Sequence, residues 1–148
     1  TALATRKNQY YVKLIKQLTP QALLPGALDT VHALRDMGVK TAIGSSSKNA
    51  PTILAQAGIV DLFDAVADGN QIRNSKPAPD VFLLAAELLG LPAEQCLVVE
   101  DADAGVEAAL NAGMQVLAVG AASGNKKAHL RADTLQDINL ADWIKQQA

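Results

Sequence analysis

The stretch Leu97–Gly105, "LVVEDADAG", decides how the chain is read. A short β-type apolar run, Leu97-Val98-Val99, ends in Glu100, Asp101 and Asp103. Carboxylates packed this closely repel one another unless a positive charge lies between them. Asp103 has an ordinary local use, as the N-cap of the helical pattern "AGVEAALNAG" that Gly113 stops. Glu100 and Asp101 have none. Hard oxygen ligands clustered at a strand end suit Mg²⁺, which takes one or two carboxylates and completes its shell with water and phosphate oxygens. A calcium EF-hand is excluded, because "DADAGVEAALNA" has Val106 where the loop needs its central glycine and Ala112 where it needs its last glutamate.

Outward from this strand–acid–helix unit, β-type and helical segments alternate. Residues 3–18 have the spacing of a helix, with Leu3, Tyr11, Leu14, Ile15 and Leu18 near one face. Pro20 and Pro25-Gly26 break it, so residues 1–20 read as an appendage and 21–148 as the main domain. Helices are predicted over 27–37, 49–58, 78–90, 103–113 and 140–148. Strands are predicted over 39–44, 63–68, 96–101 and 114–120, and "ADTLQD" (132–137) is read as a short edge strand. Strands separated by helices of this length mark an α/β fold with a doubly wound, Rossmann-like parallel sheet. The runs "TAIG", "LVV" and "VLAV" are nearly all apolar, as expected for strands covered on both faces.

A chain of 148 residues with 49% hydrophobic and 19% charged residues fits one globular domain, or one with an appendage. Its net charge of −2, with no basic block, argues against nucleic acid or an anionic membrane as partner. Cys96 is the only cysteine, which rules out an internal disulfide and fits a reducing, cytoplasmic setting. No apolar run approaches the roughly 18 residues of a membrane span. The start, "TALATRKNQYYVKLIK", has neither a signal-peptide core nor an initiator Met, as in a processed chain or a fragment.

Ligands of doubly wound sheets sit at the carboxyl ends of the strands. After the first predicted strand stand Ser45, Ser46, Ser47, Lys48 and Asn49. Small hydroxyl residues leading into a helix make an anion site from backbone N–H groups, the helix dipole and side-chain donors. The same residues also suit a plain N-cap by Ser47 or Asn49. After the second comes Lys76 in "SKPAPD", where Pro77 and Pro79 stiffen the loop. A lysine so held neutralises a phosphate or a carboxylate; the alternative is a solvated surface lysine. After the third come the acids. An anion nest, a lysine and a metal site in this order are the parts of phosphoryl transfer.

The ordered set of Ser45, Lys76 in "NSKPAPDVF" and Glu100-Asp101 in "VVEDADAG" resembles the haloacid dehalogenase-like superfamily, from about residue 23 to the C-terminus. Within it, "SSSKNAPTIL" and "NSKPAPDVF" look most like the β-phosphoglucomutase family. That resemblance implies interconversion of β-glucose 1-phosphate and glucose 6-phosphate through an aspartyl-phosphate and a glucose bisphosphate. It implies that Ser45, the Ser46 amide and Lys76 hold the transferring phosphate. It further implies that Ser47, Lys48 and Asn49 grip the other phosphate, and that Glu100 and Asp101 set Mg²⁺, with Asp101 the more direct ligand. A sugar-phosphate phosphatase of the same superfamily and a non-catalytic phosphate- and Mg²⁺-binding fragment are the alternatives. A receiver-type signalling module is disfavoured, because its acids precede its hydroxyl and lysine.

The chain departs from the resemblance at its start. The family's Asp-x-Asp-Gly nucleophile motif does not occur, and the nearest match, "VADGN", holds only Asp68 before Gly69. The resemblance therefore implies that the central strand bearing the nucleophile and most of the α-helical cap lie outside this chain, with residues 3–18 as the last cap helix. A missing central strand leaves two open edges. An N-terminal segment of the same protein, carrying Asp-x-Asp, is the expected partner.

Overall fold

The computed structural model describes residues 11–13, 26–45, 48–49, 52, 55, 58 and 60–147. Among the described residues, six strands form one parallel sheet: β1 (Tyr11–Lys13), β2 (Lys40–Gly44), β3 (Ala65–Ala67), β4 (Cys96–Glu100), β5 (Gln115–Ala118) and β6 (Leu130–Arg131). Their order is β3-β2-β1-β4-β5-β6. The chain winds outward from β1 through β2 to β3, then crosses back to β4 and winds the other way. The topological switch point, where such folds bind ligands, is thus at the carboxyl end of β1, between β2 and β4.

Side-chain alternation along the strands builds two apolar layers. Ile43, Leu97, Val99 and Leu117 face helices α1 (Ala27–Asp36) and α4 (Leu140–Gln147), joined by Val31, Leu34, Leu140 and Ile144. Ala42, Ala67, Val98 and Val116 face α2 (Asp80–Leu89) and α3 (Asp103–Asn111), joined by Val81, Phe82, Ala85 and Val106. Small residues dominate the second layer, so α2 and α3 lie close on the sheet. Burying each large side chain, such as Phe82 or Leu97, contributes about 1.5–3 kcal/mol. Gly26 starts α1 with φ of 80°, and a Cβ there would lie 2.9 Å from Gln136 Cγ, so the turn at 135–136 leaves no room for a side chain.

Two expectations are corrected. Tyr11–Lys13 is not helical: it pairs in parallel with β2 on one side and β4 on the other. These residues occupy the central position that was expected to stand open. The sequence "YYVK" is β-branched and aromatic, and two long flanking edges outweigh its weak helical periodicity. The rest of the expected helix over 3–18 lies outside the described residues. The segment 132–137 is not the edge strand. Leu130–Arg131 takes that place, and Leu135–Asp137 is a 3-10 turn held by a capping box between Thr134 and Asp137.

Candidate functional site at the sheet's carboxyl edge

The registers locate the site. Lys13 is level with Ala42 of β2 and with Val98 of β4. Ser45 and Asp101, each three residues further along, therefore stand at the same height on either side of the central strand position. Two strand spacings separate them, roughly 10 Å. Ser45 is buried at 3% exposure, and its N–H donates to the Ala67 carbonyl at 2.9 Å, which ties the end of β2 to β3. Asp68, which follows β3, is buried and accepts from the Asn70 N–H at 2.8 Å, turning the chain toward the Lys76 loop.

Lys76 and Glu100, which the sequence places far apart, are in contact. Lys76 Nζ donates to Glu100 Oε2 at 3.1 Å. The Glu100 side chain is fully buried and that of Lys76 is only 10% exposed. Glu100 Oε1 accepts from the N–H groups of Asp101 at 3.1 Å and Ala102 at 3.2 Å. The ammonium also lies 4.9 Å from the centroid of the Phe82 ring, a cation–π arrangement. Lys76 is thus not a solvated surface lysine. Its loop is anchored from three sides: Ala78 N–H to Ser75 O at 3.0 Å, Asn74 N–H to Asp80 Oδ2 at 3.0 Å, and Asn111 Nδ2 to Pro77 O at 3.0 Å.

Alternation explains how two adjacent acids differ. Glu100 follows Val98 onto the face of α2 and α3, where Lys76 meets it; Asp101 begins the turn at the switch point. Asp103 is not the N-cap. Helix α3 begins at Asp103 with Ala102 in the cap position and no side-chain cap bond. Asp103 lies in the first turn, where its charge meets the positive end of the helix dipole, and its Oδ1 accepts from Asn125 Nδ2 at 3.0 Å. A helix start one residue earlier than the spacing suggested removes it from the cap.

Of the expected second phosphate grip, Lys48 and Asn49 are exposed in a turn, and the Lys48 carbonyl accepts from Asn70 Nδ2 at 2.8 Å. That bond ties the loop after β2 to the loop after β3. Ser46 and Ser47 lie outside the described residues. Gly105 is the participant that sequence reasoning missed. A Cβ on it would overlap Cδ, Oε2 and Cγ of Glu100. A glycine early in a helix otherwise rich in alanine was the available signal.

Among the described residues, no group of three or more His, Cys, Asp or Glu is placed to hold a metal ion. The adjacent pair Glu100 and Asp101 offers hard oxygens only, and that donor set fits Mg²⁺, which needs few protein ligands. No helix among the described residues is long and apolar enough to cross a membrane.

A parallel sheet of this strand order, with a buried hydroxyl, a buried lysine–glutamate pair and a further carboxylate around its switch point, defines a doubly wound α/β domain with polar and charged groups gathered at its carboxyl edge. The sequence model of the haloacid dehalogenase-like hydrolases matches residues 2–113, and the chain belongs to that family. It is 39% identical over 138 residues to β-phosphoglucomutase of Bacillus subtilis strain 168, covering 93% of this chain and 61% of that protein. It is 38% identical over 118 residues to fructose-1-phosphate phosphatase YqaB of Escherichia coli K12, covering 80% and 62%. The crystal structure of β-phosphoglucomutase from Clostridium difficile superimposes with a TM-score of 0.78 at 32% identity, over 88% of this chain and 59% of that one. The chain spans about three-fifths of the length of these relatives, as 61% and 62% for the two curated proteins express.

Proposed function

We propose that this chain is the C-terminal portion of a β-phosphoglucomutase-like phosphotransferase that interconverts β-glucose 1-phosphate and glucose 6-phosphate through an aspartyl-phosphate and a glucose bisphosphate. In this reading residues 1–20, apart from the Tyr11–Lys13 strand that sits in the core sheet, end the cap and linker, and 21–148 belong to the core. The nucleophile comes from an Asp-x-Asp segment of the same protein. The observation that carries the proposal is the buried Lys76–Glu100 pair beside a switch point flanked by Ser45 and Asp101. The likeness to a mutase from Bacillus subtilis supports the choice of substrate.

Each residue has a physical task. Ser45, from its buried place, and the Ser46 amide donate to the phosphate being transferred. Lys76 sets a full positive charge where charge develops on that phosphate, in a site poor in water, where such a charge is worth most. Glu100 orients the ammonium. Ser47, Lys48 and Asn49 grip the phosphate that does not react. Glu100 and Asp101 are the residues that would hold Mg²⁺. When bound, the ion would neutralise phosphate charge.

A sugar-phosphate phosphatase is the second reading, and the likeness to YqaB favours it. The two differ in the need for a second phosphate grip. In the complete protein, Lys48→Ala and Asn49→Ala should raise KM for a glucose phosphate while sparing hydrolysis of a small acyl phosphate. Unchanged handling of glucose phosphates by both variants removes the mutase reading and leaves the phosphatase. The 148-residue chain alone should show no mutase turnover, because the aspartate nucleophile is not on it; turnover by it would overturn that assignment.

A further inference from the structure

We propose that Gly105 is a positioning residue: the space left by its missing side chain seats the Glu100 carboxylate, and through it fixes the Lys76 ammonium. Gly105 lies in the first turns of α3, where glycine is less favourable than alanine for a helix. Its neighbours Ala104, Ala108 and Ala109 show that alanine is otherwise the residue of this helix. The cause of the exception is steric. A single methyl group on Gly105 would overlap Cδ, Cγ and Oε2 of Glu100.

A flexible side chain could usually swing away from such a methyl. Glu100 cannot do so cheaply. It is fully buried, Oε1 is held by the amides of Asp101 and Ala102, and Oε2 is held by Lys76. The oxygen that the methyl would strike is the one that bonds Lys76. Displacement must therefore move or break the contact that aims the ammonium. Gly105 touches no reacting group itself; it acts through Glu100.

The consequence for catalysis rests on the role proposed above for Lys76, so the test separates the two. The readout for positioning is the ¹H–¹⁵N signal of the Lys76 ammonium in ¹⁵N-lysine-labelled protein, which a buried, hydrogen-bonded ammonium protects from rapid exchange. Gly105→Ala should abolish or shift that signal. Gly105→Ala should also cost far less stability in a Glu100→Ala background than in the parent, because that change removes Cγ, Cδ and Oε2, the atoms the new methyl would strike. A parental Lys76 signal in Gly105→Ala overturns the proposal. If Gly105→Ala alone does not fold, that background decides: a Gly105→Ala/Glu100→Ala protein as stable as Glu100→Ala alone supports the steric relation to Glu100, and a further loss relative to Glu100→Ala alone overturns it. In the complete protein, the same variant should lower kcat with little change in KM. A displaced Lys76 signal with unchanged kcat supports the positioning and removes Lys76 from the chemistry.

Discussion

Removing the Lys76 ammonium should be among the most destabilising single changes in this domain. Lys76→Met keeps an unbranched apolar stem and deletes the ammonium. The Glu100 carboxylate, fully buried, then retains the two amide donors but loses its counter-ion. Breaking one side of a buried pair costs about 3–5 kcal/mol, because an uncompensated charge is left behind. An exposed pair would cost at most ~1 kcal/mol, so the magnitude itself reports burial. The lost cation–π contact with Phe82, 4.9 Å from the ammonium, adds little, since a methionine sulfur also packs well against an aromatic ring. With a urea m-value of 1–3 kcal/mol/M, the midpoint should fall by roughly 2 M. Adding Glu100→Gln should recover most of the loss, since a neutral amide leaves no buried charge. Urea denaturation followed by circular dichroism measures all three proteins. A Lys76→Met loss below about 1 kcal/mol, or a double variant no better than the single one, would refute the reasoning.

Other expectations are narrower. Asp101→Asn should weaken Mg²⁺ binding, read by calorimetry, more than Asp103→Asn does, because Asp103 is engaged with Asn125 in the first turn of α3; equal losses would undo this division of the acids. Asp103→Asn should cost at most ~1 kcal/mol, the size of a helix-dipole contact. His129→Ala should cost about 1–3 kcal/mol in chemical denaturation, because His129 Nδ1 accepts from the buried Val116 N–H at 3.1 Å and its loss leaves that donor unpaired. Gly26→Ala should lower the denaturation midpoint by more than a surface substitution does, typically beyond ~0.5 kcal/mol, since the position combines a φ of 80° with a site where an added Cβ would lie 2.9 Å from Gln136 Cγ.

The alternation of apolar strands and helices was legible because both faces of this sheet are covered, so the largely apolar centres of β2, β4 and β5 stand out. The strand-end rule then pointed to Ser45, Lys76, Glu100 and Asp101 without any knowledge of contacts. What the linear pattern does not encode is pairing across the sheet. Tyr11–Lys13 is a strand because of the two edges beside it; the β-type run "YYV" is too short to override the helical spacing of residues 3–18 in the sequence alone. Likewise the Lys76–Glu100 bond joins a loop before α2 to the end of β4, and only the fold brings them within 3.1 Å. Asp103 was misplaced by a single residue at a helix start, where a cap and a first-turn acid have the same sequence signature. Gly105 was visible as a helix glycine, but its reason lies in a side chain that reaches it through space.

The measurement that bears most directly on the account is the steady-state rate of phosphoryl transfer by the complete protein, parent against Lys76→Ala, with β-glucose 1-phosphate and a catalytic amount of glucose bisphosphate. If Lys76 stabilises the charge that develops on the transferring phosphate, kcat should fall on the order of 10²-fold or more while KM changes far less. A Lys76→Ala protein that folds and turns over at the parental kcat would contradict the role assigned to the buried pair, and with it the proposed phosphoryl-transfer site.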